Sequence, residues 1–113
     1  MATKRQRDMA TALATLLPHV PYADAQDIKE MANAHHLRHL PPAISLKLCA
    51  LTHVRHNYTD YDTLMDEGMD RDAARYCVLP EMLDVLDQWG MLITEDELMT
   101  DKGQEPLAPN KSC

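Results

Sequence analysis

Helix-breaking residues divide this chain into short segments, and that division limits its fold more than any other feature. Prolines at 18, 21, 41, 42 and 80 and glycines at 68 and 90 interrupt the chain repeatedly. Between them, apolar residues recur at spacings of three and four, as in Met9, Leu13 and Leu16, which is typical of one helix face. Only Met91-Leu92-Ile93 resembles a strand. The pattern predicts an all-α protein, a compact bundle of about five short helices.

Capping signals and breakers set the expected helix boundaries. The predicted helical segments are 3–17, 21–35, 42–56, 59–68, 71–89 with a break or kink at Pro80, and a last turn after the Thr94–Glu97 capping box. In the third segment, Ile44, Leu48 and Leu51 form an apolar stripe that Ala43, Ala50 and Val54 widen. We therefore predict that this segment is the central, buried helix.

Length and composition indicate one small domain. The chain has 113 residues, and we assign residues 1–100 to a single helical domain and 101–113 to a disordered, polar tail. It has no apolar run of membrane-spanning length and no leader-like segment, so we expect a cytoplasmic protein without membrane contact. Its three cysteines are widely spaced and form no C-x-x-C pair, which argues against disulfides. Cys49 and Cys77 are expected to be buried thiols.

Charge is distributed unevenly along the chain. The formal net charge is −7. This argues against a nucleic-acid binder whose whole surface is basic, because such domains usually carry a net positive charge. Residues 35–58 nevertheless contain three bases, no acid and five of the six histidines, whereas the acids concentrate after residue 59. A local basic patch therefore stays open as an alternative, and histidine protonation is expected to strengthen it below about pH 6.

The densest polar chemistry lies between His53 and Arg75. Arg55 falls on the apolar stripe of the third helix, and a buried charge needs a partner; the candidates are Asp62 and Asp72. Arg71 and Arg75 are four residues apart and share a helix face, so together they can clamp an anion or pair with nearby acids. Two interpretations stay open: a buried ion-pair network that fixes the helix packing, or a site for a ligand or partner.

Metal and catalytic signatures are weak. His53 and His56 are three residues apart on a helix and can reach one ion, and His36 and His39 repeat that spacing. There is no H-E-x-x-H motif, no Cys pair, no glycine-rich phosphate loop and no nucleophile elbow. The sequence thus predicts no metal and no cofactor, with His53 and His56 as the weak metal candidates, and favours a protein that is not an enzyme.

A longer pattern resembles a known family. It is carried by L-R-H-L-P-P at 37–42, T-H-V-R-H-x-x-T-x-Y-D-x-L at 52–64, G-x-x-R-D-x-A-R at 68–75 and W-G at 89–90. This arrangement is similar to DUF2293, a widespread family of domains of unknown function, over about residues 10–90. The resemblance implies that the shared motif consists of Arg55, His56, Thr59, Tyr61, Asp62, Arg71 and Arg75. It implies no activity.

Three function classes follow. The favoured hypothesis is a non-enzymatic binding or regulatory module with a protein partner or a second copy, docked through acids at Asp84, Asp87, Glu95, Asp96 and Glu97. The alternative is a nucleic-acid-associated protein that uses a patch made of Lys4, Arg5, Arg7, Arg38, His39, Lys47, Arg55 and His56. The least favoured is a metal-dependent hydrolase centred on His53, His56 and Asp62.

Overall fold

Seven helices make up the regular structure of the part of the chain that the computed structural model describes, residues 3–34 and 37–100, with side chains to Leu98. They are α1 Lys4–Leu16, α2 Tyr22–Ala32, α3 Pro42–Tyr58, α4 Tyr61–Asp66, α5 Arg71–Cys77, α6 Leu79–Gln88 and α7 Glu95–Thr100. The predicted all-α class is confirmed, and five of these helices have seven or more residues. The predicted tail lies outside the described residues, and so does His36, which with His39 repeats the spacing of His53 and His56.

Helix α3 is the centre of the bundle, as predicted. It packs against α1, α2 and α6, and it is buried on nearly every side from Ser45 to Arg55. The predicted stripe is wrong at its beginning, because Ile44 is 47% exposed. Ala43 is exposed with it, whereas Leu48, Leu51, Ala50 and Val54 of the predicted stripe are buried. Leu46, one turn before Ala50, is fully buried as well and was not part of the predicted stripe.

The first helix is fixed at both its cap and its side. Thr3 and Gln6 form a reciprocal capping box, in which each side chain accepts a hydrogen bond from the other residue's backbone N–H. Arg5 donates to the carbonyls of Leu40 and Leu37, at 3.2 and 3.4 Å. These bonds attach the beginning of α1 to the turn that precedes α3.

The α5–α6 junction confirms one sequence prediction and corrects another. The predicted break near Pro80 is present, because α5 ends at Cys77 and α6 begins at Leu79. Pro80 lies in the first turn of α6, where its missing N–H is not needed. Cys77, expected to be buried, is exposed at the end of α5. Ala74 and Val78 are four apart and take the inward positions, and Arg75 beside Ala74 is buried with them.

The chain returns to α1 after α6 through a tight contact. Gly90 has φ +90°, and the backbone N–H of His19 donates to the carbonyl of Trp89 at 3.0 Å. A side chain at position 90 would place its first carbon 2.6 Å from Cγ of Pro18.

The segment Met91–Ile93 forms no strand. None of the described helices combines the length and the apolar character that a membrane span requires.

Candidate functional site

The end of α3 distributes the motif residues over different sides of one helix. Successive residues are separated by about 100° around a helix axis, so His53, Arg55 and His56 point in different directions. Arg55 is 2% exposed and His53 5%, whereas the side chain of His56 is 37% exposed. The polar cluster predicted from the sequence is therefore divided between buried and exposed positions at the end of α3.

Arg55 is the inner member of the motif. Its guanidinium carbon lies 5.7 Å from the centre of the Tyr61 ring, and Tyr61 is also buried, at 4% exposure. A cation over an aromatic face is attracted by the negative charge of the ring face, and the attraction strengthens where water is excluded. This contact attaches α4 to the central helix.

Thr59 shapes the turn between these two helices. Its hydroxyl donates to the carbonyl of Arg55, and its oxygen accepts the backbone N–H of Tyr61 at 3.2 Å. The predicted N-cap role of Thr59 is therefore replaced by a bridge, since α4 begins after Asp60 and Thr59 ends α3. The bridge satisfies a carbonyl at the end of α3 and an N–H at the start of α4.

His56 and Asp62 form the outer member of the motif. His56 Nδ1 lies 2.7 Å from Asp62 Oδ1, and the imidazole ring meets the Tyr61 ring edge to face, with centroids 5.3 Å apart. Since an ionised carboxylate only accepts, Nδ1 carries the hydrogen in this contact. The Asp62 side chain is 61% exposed. The ring is thus held in one orientation at the surface by two contacts.

The two arginines of α5 do not form a joint surface clamp. Arg75 is 2% exposed, whereas Arg71, one helical turn earlier, is exposed. Asp70 caps this helix by accepting the backbone N–H groups of Asp72 and Ala73. The motif thus separates into a buried layer of Arg55, Tyr61 and Arg75, and an exposed layer of His56, Asp62 and Arg71, with Thr59 half-buried between them.

A second polar cluster is centred on Asp24 of α2, and sequence reasoning missed most of it. Asp24 of α2 accepts two hydrogen bonds of 2.7 Å, from His53 Nε2 and from the Tyr58 hydroxyl. Asn57 donates to His53 Nδ1 at 3.2 Å, so both ring nitrogens are occupied. The Tyr58 ring meets that of Trp89 edge to face, with centroids 5.5 Å apart. Asp24, His53, Asn57, Tyr58 and Trp89 are called the Asp24 cluster below.

The Asp24 cluster has an electrostatic consequence. The pKa of Tyr58 is raised above its ordinary value of 10.0, first because its hydroxyl donates to Asp24 and then because of partial burial and the nearby negative charge. Deprotonating Tyr58 would remove that donor and place two anions side by side. The cluster therefore holds α2 and α3 together through two donors on one carboxylate, and the contact of Tyr58 with Trp89 adds the end of α6.

The two histidines proposed as weak metal candidates contact different carboxylates. His53 contacts Asp24 of α2, and His56 contacts Asp62 of α4. Among residues 3–34 and 37–98, no three His, Cys, Asp or Glu side chains form a group suited to a metal ion.

The basic patch predicted as an alternative is also divided. Arg5 uses its guanidinium on the carbonyls of Leu37 and Leu40, near the exposed Arg38 and His39 at the start of α3. Arg55 is buried near the other end of α3 and does not contribute to any surface.

Fold and site together define a small all-α domain built around one long central helix with a buried arginine. The chain belongs to the family described as uncharacterized conserved protein (DUF2293), whose pattern matches residues 12–90. This confirms the resemblance inferred from the motif. No curated protein and no solved structure matches the chain.

Proposed function

We propose that this chain is a small, non-enzymatic protein-binding module that docks a lysine- and arginine-rich segment of a partner on an acidic face of α6 and α7. The observation that carries the proposal is the separation of charge between the two halves of the domain. The partner contact would be electrostatic and solvent-exposed, whereas the buried residues of the family motif would stabilise the packing of the helices.

The second half of the domain exposes acids almost without compensating bases. Residues 59–98 contain twelve Asp and Glu residues, and every one of them is exposed. The same stretch holds two arginines, Arg71 and Arg75, and Arg75 is buried. Such a field raises the local concentration of cationic partners, accelerates their encounter and repels nucleic-acid phosphates.

One part of this surface is geometrically continuous. Pro80, Asp84 and Asp87 are spaced at i, i+4 and i+7 and therefore share one side of α6. Glu95 of α7 lines a small hollow together with Pro80 and Leu79, so the beginning of α7 lies beside that side of α6. We call this surface the acidic face; its members are Asp84, Asp87, Glu95, Asp96 and Glu97.

The family motif has a supporting role in this proposal. Arg55, Tyr61 and Arg75 are buried, which supports a role inside the fold, and the contact of Arg55 with Tyr61 holds α4 against α3. His56 is the motif residue with a partly exposed ring in a fixed orientation.

The test is a fluorescence anisotropy titration of the full chain against a labelled lysine-rich peptide. We expect saturable binding that weakens strongly between about 0.05 and 0.5 M NaCl, because screening shortens the range of surface charges. A triple variant, Asp84→Asn with Asp87→Asn and Glu95→Gln, should weaken binding at least about tenfold, or about 1.4 kcal/mol. The matched control, Asp8→Asn with Asp27→Asn and Glu30→Gln, removes the same three charges from exposed positions on α1 and α2.

Two outcomes would overturn the proposal. One is equal loss of affinity in the triple variant and in the control, which would mean that net charge alone attracts the peptide. The other is tighter binding of a labelled DNA duplex than of the peptide under the same conditions, which would transfer the function to the basic residues near the start of α3.

A further inference from the structure

A cleft between α1 and α2 lies apart from both the family motif and the acidic face. Both helices pack extensively on α3 but touch each other little, and the space left between them measures about 530 Å³. Binding sites for small molecules commonly have volumes of about 300–1,000 Å³ and often lie between the helices of bundles. The wall formed by α1 includes Gln6, Arg7 and Ala10, which precede the family match at residue 12.

The floor of the cleft is apolar. Met9 lines it and is 2% exposed, and the exposed Ala10 lies beside it with a small side chain. A short side chain at the mouth and a thioether below leave room for the apolar body of a ligand, since methionine adapts its shape readily.

The polar rim is rich in hydrogen-bond donors. Arg7 on α1 and Lys29 on α2 place positively charged side chains on both walls. Gln6 has used its carbonyl oxygen as the acceptor for the backbone N–H of Thr3, so its amide nitrogen is the group that remains for a ligand. The amides of Gln26 and Asn33 add further donors from α2.

We propose that this cleft binds a small amphipathic anion, with its carboxylate or phosphate head between Arg7 and Lys29 and its apolar body over Met9. Charged donors on two helices and amide donors beside them match the acceptor-only character of such a head group. Glu30 is the acidic side chain on this rim, and it opposes an anion. That opposition makes Glu30 a useful probe of the charge of the ligand.

The experiment uses the full ¹⁵N-labelled chain and three probes of similar shape: benzoate, phenyl phosphate and neutral benzamide. We expect saturable amide shifts confined to residues 6–10 and 26–33 with at least one anion below about 10 mM, and none with benzamide. The stronger of the two anions identifies the head group as a carboxylate or a phosphate.

Variants distinguish binding of the anion in the cleft from its unspecific electrostatic attraction to the protein. Lys29→Gln should weaken binding about fivefold, the upper range for one solvent-exposed ion pair, whereas Lys47→Gln on α3 should leave it unchanged. Glu30→Gln should strengthen binding, and Ala10→Trp should abolish it by filling the cleft while leaving the rest of the spectrum unchanged.

The inference is overturned if neither anion produces saturable shifts, or if benzamide binds equally well. Weaker binding in Glu30→Gln would also contradict it, because that result would indicate a ligand with a cationic group. The proposed docking of a basic peptide on α6 and α7 succeeds or fails separately, since it involves neither α1 nor α2.

Discussion

Arg55 and Tyr61 meet in the interior, with the guanidinium carbon 5.7 Å from the centre of the ring and both side chains almost completely buried. The sequence separates them by only six residues, but Tyr61 belongs to the next helix. The contact therefore determines where α4 leaves α3. It places the most polar side chain of the central helix in a structural role.

Replacing Arg55 should destabilise the fold substantially. Arg55→Met keeps the length of the side chain but removes the charge and the donors, and we expect a loss of about 2–4 kcal/mol in the free energy of unfolding. Urea denaturation followed by the fluorescence of Trp89, the single tryptophan, measures this directly. The exposed Arg38→Met is the matched control and should change stability by less than about 0.5 kcal/mol. Equal stabilities of the two variants would contradict the structural role.

The Asp24 cluster should respond to pH through Tyr58. In the folded state the pKa of Tyr58 is raised, mainly by its hydrogen bond to Asp24. A group whose folded pKa exceeds its unfolded value contributes stability below the unfolded pKa, and this contribution is lost as the pH rises through the folded pKa. Asp24→Asn should therefore lower the pKa of Tyr58 toward 10.0 and remove this alkaline sensitivity.

Absorbance of tyrosinate as a function of pH measures this shift, with Tyr58→Phe identifying the titration of Tyr58 among the four tyrosines. Asp27→Asn, three residues along the same helix, is the control and should leave the titration unchanged. If the pKa of Tyr58 is the same in Asp24→Asn as in the unsubstituted chain, the hydrogen bond to Asp24 does not form.

The two cysteines in the described part of the chain should differ in reactivity. Burial raises the pKa of Cys49 to about 12, whereas Cys77 is exposed. In a Cys113→Ser background, a thiol-reactive dye should modify Cys77 in the native protein and Cys49 only after unfolding, because the thiolate is the reactive form. The control Cys77→Ser should then show no fast-reacting thiol. Rapid native modification of that control would contradict the burial of Cys49.

Gly68 and Gly90 provide a matched pair for testing the contact between α1 and the end of α6. Both have positive φ, at 94° and 90°, so alanine strains each backbone by about 1–2 kcal/mol. At position 90 the added carbon also meets Pro18 at 2.6 Å, whereas nothing lies within 4 Å at position 68. Thermal denaturation should show a clearly larger loss for Gly90→Ala. Equal losses would mean that the segment around Pro18 can move away freely.

Sequence reasoning predicted the helical class, the central position of α3 and the family because each depends on local spacing or on a contiguous motif. It also predicted that Arg55 lies on the apolar side of the central helix. It missed the Asp24–His53 contact, since 29 residues separate the partners and nothing in the local sequence pairs them. It misplaced Cys77 because the boundary between α5 and α6 determines which residues of a short helix turn inward.

Amide chemical shifts of the ¹⁵N-labelled chain during titration with a lysine-rich peptide show directly whether the acidic face is the docking surface. We expect saturable shifts concentrated in residues 81–97 that disappear in high salt, with α1 and α2 unaffected. Shifts concentrated in α1, α2 or the first turns of α3, or no saturable shift at low salt, would contradict it.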